Sequence, residues 1–380
     1  MDTSILFQET QLGALKLKNK FIVAPLTRMR ADQPDMVPND LMVEYYSQRA
    51  SFGLILTECS QISPLSHCFP GSGGIFTEEQ AQGWKKVVDA VHEKGSLIML
   101  QIWHNGRAVN PSQIGGQQPI GPSPIAIDQN NFLANNEPYP VPHELTIEEI
   151  KEVVQQYKRG AELAKQAGFD GVELHGANGY LVDQFLRDGS NQRTDIYGGS
   201  VQNRSRFCLE VIDALAEVFG YDRVAVRFSP TGRYNGQYDS NPLALMEYLL
   251  GELSKRNLAF VELKRHGALE YFIKNNSEDK RIPPAQQIPD FFNQLRKFYQ
   301  GNLVANDGIK IEEALTLTTS NTAQAISFGV LSISNPDLPI RVKNNWEINQ
   351  TIDKNTWFFG GSKGYTDFPT YEQQINVSSS

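Results

Sequence analysis

Between Glu173 and Tyr180 the chain reads Glu-Leu-His-Gly-Ala-Asn-Gly-Tyr, which brings an imidazole, a carboxamide and a phenol close together. His175 and Asn178 can aim two neutral donors at one acceptor oxygen, with Tyr180 as a weak acid beside them. Such a pair suits an oxygen on which negative charge develops, as on an enolate. Elsewhere Thr27, Gln101 and Arg227 have the polar variety a flat, heteroatom-rich ring needs. Thr27 donates or accepts, Gln101 does both at once, and Arg227 brings fixed positive charge and five donors. Taken singly, each residue also has a structural reading: a histidine at a strand end, a rim tyrosine, a buried Gln–Arg network. Convergence of all of them at one end of one fold is what points to chemistry.

The elements that could cause this convergence are visible as apolar runs. Phe21–Ala24, Leu54–Cys59, Leu97–Trp103, Gly171–His175, Arg223–Ser229, Ala259–Lys264, Asn302–Asn306 and Gln324–Gly329 are nearly continuous in apolar residues. That is the pattern of parallel strands covered by helices, not of half-exposed ones. Helices are expected between them. Thr77-Glu-Glu-Gln80 and Thr146-Ile-Glu-Glu149 are capping boxes, and Pro242 suits a first helical turn. The first box opens a helix with Trp84, Val87, Val88 and Val91 on one face, stopping near Gly95. Eight strands alternating with helices predict a closed (β/α)₈ barrel, with function at the C-terminal strand ends. The surplus length falls in Val109–Tyr139, rich in Pro, Gly, Asn and Gln, a loop or hairpin excursion after the third strand. The rival, a doubly wound open sheet, would place a G-x-G-x-x-G turn after its first strand, and none follows Phe21–Ala24.

Composition narrows the class. The 380 residues carry 43 acidic and 35 basic side chains, a formal charge of −8, which disfavours nucleic acid as a partner. Cys59, Cys68 and Cys208 are too few and too scattered for a disulfide framework or a metal site, so a reducing, cytoplasmic setting is expected. Apolar stretches such as Leu97–Leu100 are far short of a membrane span, and the first ten residues do not read as a secretory signal. No linker divides the chain, so residues 1–372 are read as a single barrel and 373–380 as a disordered tail.

Several runs together resemble the old yellow enzyme family. They are Ala24-Pro-Leu-Thr-Arg28, Gln101-Ile-Trp-His104 with Gly106-Arg107, and Gly168 through Tyr180. Asn191 through Gly199, Asn203 through Phe207, Ser334-Asn-Pro-Asp-Leu338 and Gly364 through Tyr371 add to them, in order, from about Leu6 to Tyr371. The likeness is nearest the branch of 12-oxophytodienoate reductases. It implies an FMN-binding barrel that takes hydride from NADPH or NADH and reduces the activated C=C bond of an α,β-unsaturated carbonyl compound. By the same resemblance Pro25, Leu26, Thr27 and Cys59 would lie along the flavin, Gln101 at its pyrimidine edge and Arg227 by N1 and O2. His175 and Asn178 would clamp the substrate carbonyl, Tyr180 would donate the proton, and Trp103, Phe69, Tyr234, Trp357 and Phe358 would wall the pocket. Partners implied are small enones and the nicotinamide, with the protein a monomer or homodimer.

The chain departs from the family where the FMN phosphate is expected. A Gly-Arg pair is usual at the end of the eighth strand, and here it is Gly329-Val330. The preceding turn, usually two small residues, reads Asp307-Gly308. Backbone N–H groups would then carry more of the grip, with Lys310 or Arg341 as substitute cations. Cys59 is read as packing, and His266 as a loop residue in a segment that also departs from the pattern. Relatives with an iron–sulfur cluster and a further flavin domain are excluded by the dispersed cysteines and the length. Retention of Tyr180 favours reduction over isomerisation. The remaining alternative is a non-catalytic or regulatory FMN-binding barrel.

Overall fold

All eight apolar runs are strands of one closed parallel barrel in the computed structural model, which describes residues 2–265, 288–350 and 352–378. They are β1 (Phe21–Val23), β2 (Leu54–Leu56), β3 (Leu97–Trp103), β4 (Gly171–Gly176), β5 (Val224–Phe228), β6 (Phe260–Lys264), β7 (Leu303–Asn306) and β8 (Ala325–Phe328). Neighbours pair in sequence order, β8 pairs with β1, and β3 with β4, so no edge is left. The open-sheet rival is thereby set aside. The run from Leu54 ends as strand at Leu56 because a side chain interrupts the ladder: Gln101 N donates to Thr57 Oγ1 at 3.1 Å.

Alternation along each strand separates two packing environments. Val172 and Leu174 of β4, Val224 and Val226 of β5, and Val261 and Leu263 of β6 pack outward under the helices. Ile22, Leu54, Leu56, Met99, Ala225, Phe260, Val304 and Ala325 fill the lower barrel interior. That end is closed by an antiparallel hairpin, Thr10–Leu12 with Leu15–Leu17, whose leucines join the same cluster. Above it the inward positions turn polar, and the candidate site begins there.

Both capping boxes are formed. The helix Glu78–Glu93 starts with Gln80 N donating to Thr77 Oγ1 and Thr77 N to Gln80 Oε1, each at 3.2 Å. The helix Ile147–Gln166 starts on the same reciprocal pair at Thr146 and Glu149. Trp84, Val87, Val88 and Val91 are buried as expected, and Pro242 opens the helix Pro242–Leu253. The excursion after β3 contains the hairpin Asn130–Asn131 with Glu137–Pro138.

Of the tail expected to be disordered over 373–380, the structure describes residues 373–378. Tyr371–Ser378 is helical. A capping box starts it, with Thr370 N donating to Gln373 Oε1 at 2.8 Å and Gln373 N to Thr370 Oγ1 at 3.4 Å. Tyr371 N also donates to Asp337 Oδ2 at 2.8 Å, and its ring stacks on Trp346 with centroids 4.4 Å apart. His266 lies outside the described residues. Among the described residues no helix is long and apolar enough to cross a membrane.

Candidate active site at the C-terminal ends of the strands

A cavity of about 420 Å³ opens where the eight strands end, within the range of small-ligand and cofactor sites. Pro25, Leu26 and Thr27 reach it from β1, Cys59 from β2, Gln101 from β3, and His175, Asn178 and Tyr180 from β4 and the turn after it. Arg227 comes from β5, Asp307 and Gly308 from β7, and Gly329 and Val330 from β8; Phe69, Tyr234, Trp357 and Phe358 complete the walls. Trp103 is the exception. It is fully buried behind the walls, stacked near Phe69 (5.6 Å) and edge-on to Tyr180 (4.4 Å). It is therefore a backing residue that sets the positions of those rings, not a wall itself.

The turn after β4 is built to present its three side chains. Asn178 has φ +56° and Gly179 φ +74°. A Cβ at Gly179 would lie 2.5 Å from Tyr234 O, so only glycine fits. Asp183 accepts from Gly179 N at 2.8 Å and pairs with Arg187 at 2.8 Å, both carboxylate and guanidinium buried. Asn178 N donates to Ser229 Oγ (2.9 Å) and Asn178 O accepts from Asn235 Nδ2 (3.0 Å), which ties the turn to the β5 side. The Asn178 Oδ1 atom makes no hydrogen bond with the described residues.

Charge states follow from burial. Desolvation, then Arg227 and Lys264, lower His175 to about 3, so its ring is neutral at pH 7. Ala177 N donates to His175 Nδ1 at 3.3 Å, which assigns the ring proton to Nε2. Burial, reinforced by Tyr234, holds the Tyr180 phenol well above its usual range, so it stays a neutral acid. Burial raises the Cys59 thiol, 3.2 Å from Thr27 Oγ1, and so keeps it protonated.

The floor is a polar tier. Gln101 Nε2 donates to Glu173 Oε1 at 2.7 Å, and Arg227 pairs with Glu262 at 2.6 Å and with Asn306 Oδ1 at 2.8 Å. At the rim, Arg28 and Arg30 donate to the Trp357 carbonyl at 2.9 and 3.0 Å and so hold the Trp357–Phe358 segment over the cavity. Glu58 in turn accepts from Arg28 N and Met29 N, fixing the segment after β1.

At the β7–β8 end, Asp307 has φ +87° and Gly308 φ +66°, and a Cβ at Gly308 would meet nothing closer than 4.0 Å. Lys264 Nζ pairs with Asp307 Oδ2 at 2.9 Å, so the acidic residue is neutralised where it stands. Lys310 lines the cavity, whereas Arg341 is buried elsewhere, bound to Asp337 at 2.7 Å and to the Glu347 carbonyl. Arg341 thus lies away from the cavity, whereas Lys264 lines it. The signal for Lys264 was strand alternation: it follows Glu262 by two on an inward face.

These features fit FMN. A floor with Gln and Arg donors suits the edge of a heteroaromatic ring. The space over Gly308, at a cavity end also lined by Gly329, Lys264 and Lys310, suits a phosphate tail.

Residues 5–349 match the NADH:flavin oxidoreductase / NADH oxidase family. A probable flavin mononucleotide-dependent alkene reductase of Leishmania infantum is 41% identical over 372 residues, covering 96% of this chain and 97% of the relative. The 12-oxophytodienoate reductase 7 of Oryza sativa subsp. japonica is 38% identical over 375 residues, covering 96% and 94%. The old yellow enzyme of Trypanosoma cruzi superposes with a TM-score of 0.90 at 35% identity, covering 97% and 99% of the two chains. A closed barrel, the residues gathered at its open end and this coverage agree: the chain belongs to the NADH:flavin oxidoreductase / NADH oxidase family, the old yellow enzyme type of FMN-dependent ene-reductase.

Proposed function

We propose that this chain reduces α,β-unsaturated carbonyl compounds with NADPH or NADH through FMN held in the barrel mouth, with Tyr180 as proton donor. The observation that carries this is the meeting of His175, Asn178 and Tyr180 in one cavity above the Gln101–Arg227 floor. Gln101 and Arg227 would hold the pyrimidine edge of the flavin, and Pro25, Leu26, Thr27 and Cys59 would lie along it. Backbone around Gly308 and Gly329, with Lys264 and Lys310, would hold its phosphate. When bound, FMN supplies the hydride chemistry between nicotinamide and the β-carbon of the enone.

The protein's part is positioning and proton handling. His175, protonated on Nε2, and the Asn178 amide bind the substrate carbonyl oxygen. As the β-carbon gains hydride, negative charge moves onto that oxygen, and neutral donors already in place stabilise it without reorganising. Tyr180 then gives its Oη proton to the α-carbon; burial keeps that proton on the phenol until it is needed. Phe69, Tyr234, Trp357 and Phe358 enclose the reacting carbons and keep water from competing. The three cysteines are free, and we place the protein in the reducing cytoplasm. The test is spectroscopic. The purified protein is expected to be yellow, to bleach anaerobically with NADPH or NADH, and to recover its colour on adding 2-cyclohexenone. A yellow protein that bleaches but is not reoxidised by enones would leave a flavin-binding barrel without ene-reductase activity.

A further inference from the structure

Below the cavity, Arg227 is engaged from behind. Its guanidinium pairs with Glu262 Oε2 at 2.6 Å and donates to Asn306 Oδ1 at 2.8 Å. The second Glu262 oxygen accepts from Ser327 Oγ, and Asn306 Nδ2 donates to the Ser327 carbonyl at 3.0 Å. Arg227, Asn306 and Ser327 face the cavity, whereas Glu262 is fully buried beneath them. Strand pairing sets this order, because Arg227 and Glu262 are register partners on β5 and β6. The tier holds a second buried carboxylate, Glu173, bonded to Gln101 and with its Oε2 unpartnered. Burial and the neighbouring Glu262 push Glu173 well above the usual carboxylate range.

We propose that Glu262 is a positioning residue for the flavin reaction: it fixes the Arg227 guanidinium at the cavity floor and offsets its charge, and so sets the electron affinity of the bound flavin. A bare guanidinium beside the pyrimidine edge would favour the reduced, more negative flavin strongly. With a carboxylate 2.6 Å behind it, the cavity meets the positive end of a buried dipole instead. The geometry keeps the Arg227 donors aimed while moderating their pull. This rests on the reading of Arg227 as a flavin contact.

The experiment is the reduction potential of the holoprotein, read by equilibration with a reference dye. Glu262→Gln is expected to move the ratio of reduced to oxidised flavin at least tenfold toward reduced, which is about 30 mV for a two-electron couple. Glu173→Gln, which leaves the Arg227–Glu262 pair in place, is expected to change that ratio less than threefold. Arg227→Met is expected to move it tenfold or more toward oxidised. If Arg227→Met moves the potential and Glu262→Gln does not, or moves it the other way, the role of Glu262 is refuted while the flavin site stands. If neither moves it, the floor is not the seat of the flavin and the reading beneath fails as well. Should Glu262→Gln not hold flavin, Glu262→Asp answers instead. It withdraws the carboxylate by one methylene, and a shift of about threefold toward reduced is expected; no shift would overturn the proposal.

Discussion

Val330 stands where the family resemblance implies an arginine for the FMN phosphate, and Val330→Arg is expected to tighten FMN binding. Val330 opens the short helix Val330–Ser334, next to Gly329, and lines the cavity, as Lys310 does. A charge-assisted hydrogen bond is worth about 1.5–3 kcal/mol, or roughly 10- to 150-fold in affinity at 1.4 kcal/mol per decade. Two cations already flank this end, which argues for the lower figure. Lys264 is compensated by Asp307 at 2.9 Å, so its repulsion of a new guanidinium is muted. The expectation is therefore a gain of about tenfold, or ~1.4 kcal/mol. By linkage, in excess FMN, this same amount stabilises the holoprotein. For a 380-residue chain with about 2.1 cal/mol/K per residue of unfolding entropy, the thermal midpoint rises by about 2 °C. The assay is titration of apoprotein by quenching of FMN fluorescence, with melting curves at fixed excess flavin. Unchanged or weaker binding would refute the reasoning, since it would mean that Lys264 and Lys310 already supply the whole missing charge.

Three further outcomes follow from the β4 turn. Tyr180→Phe is expected to slow enone reduction by about 10²- to 10⁴-fold and to leave flavin reduction by NADPH unchanged in stopped-flow traces; equal damage to both halves would remove its role as acid. His175→Ala is expected to weaken binding of a phenol, followed by its long-wavelength charge-transfer band, by roughly 1.5–3 kcal/mol; equal affinity would place the carbonyl clamp elsewhere. His175 titrates near 3 in the folded protein, and near 6.5 when unfolded, so the folded state binds fewer protons between these values. Stability tied to this group is intact above pH 6.5 and is lost as pH falls toward 3. His175→Gln is therefore expected to lose less stability between pH 7 and 4.5 than the parent, by about 2–3 kcal/mol in urea titrations, and parallel losses would contradict the assignment.

What could be read from the sequence was whatever is encoded locally. Continuous apolar runs specify strands buried on both faces, and the Thr77, Thr146 boxes announce their helices, so the barrel was legible. The helix after Thr370 carries the same box signal, but the short, polar stretch beyond it has little apolar pattern to back it. Its docking depends on Asp337 and Trp346, which are distant in sequence. Most of the site was legible because its residues sit at strand ends within recognisable motifs. Trp103 was misplaced because position at a strand end does not say whether a large ring faces the cavity or lies behind its neighbours. The placing of Arg341 and Lys264 has a similar cause. Arg341 is absorbed by a partner four residues away, and Lys264 reaches the site by its register opposite Asn306 on β7. Nor does any local pattern reveal that Arg28 and Arg30 clasp a segment more than 300 residues later.

The most direct measurement is the destination of labelled hydrogen in a cyclic enone. With nicotinamide deuterated at its transferable position, in ordinary water, deuterium is expected only at the β-carbon. With unlabelled nicotinamide in D₂O, it is expected at the α-carbon, on the opposite face, and at a rate that collapses in Tyr180→Phe. Label from the nicotinamide at the carbonyl carbon, or no label in a product that nonetheless forms, would contradict the assignment of this cavity to flavin-mediated reduction of an activated C=C bond.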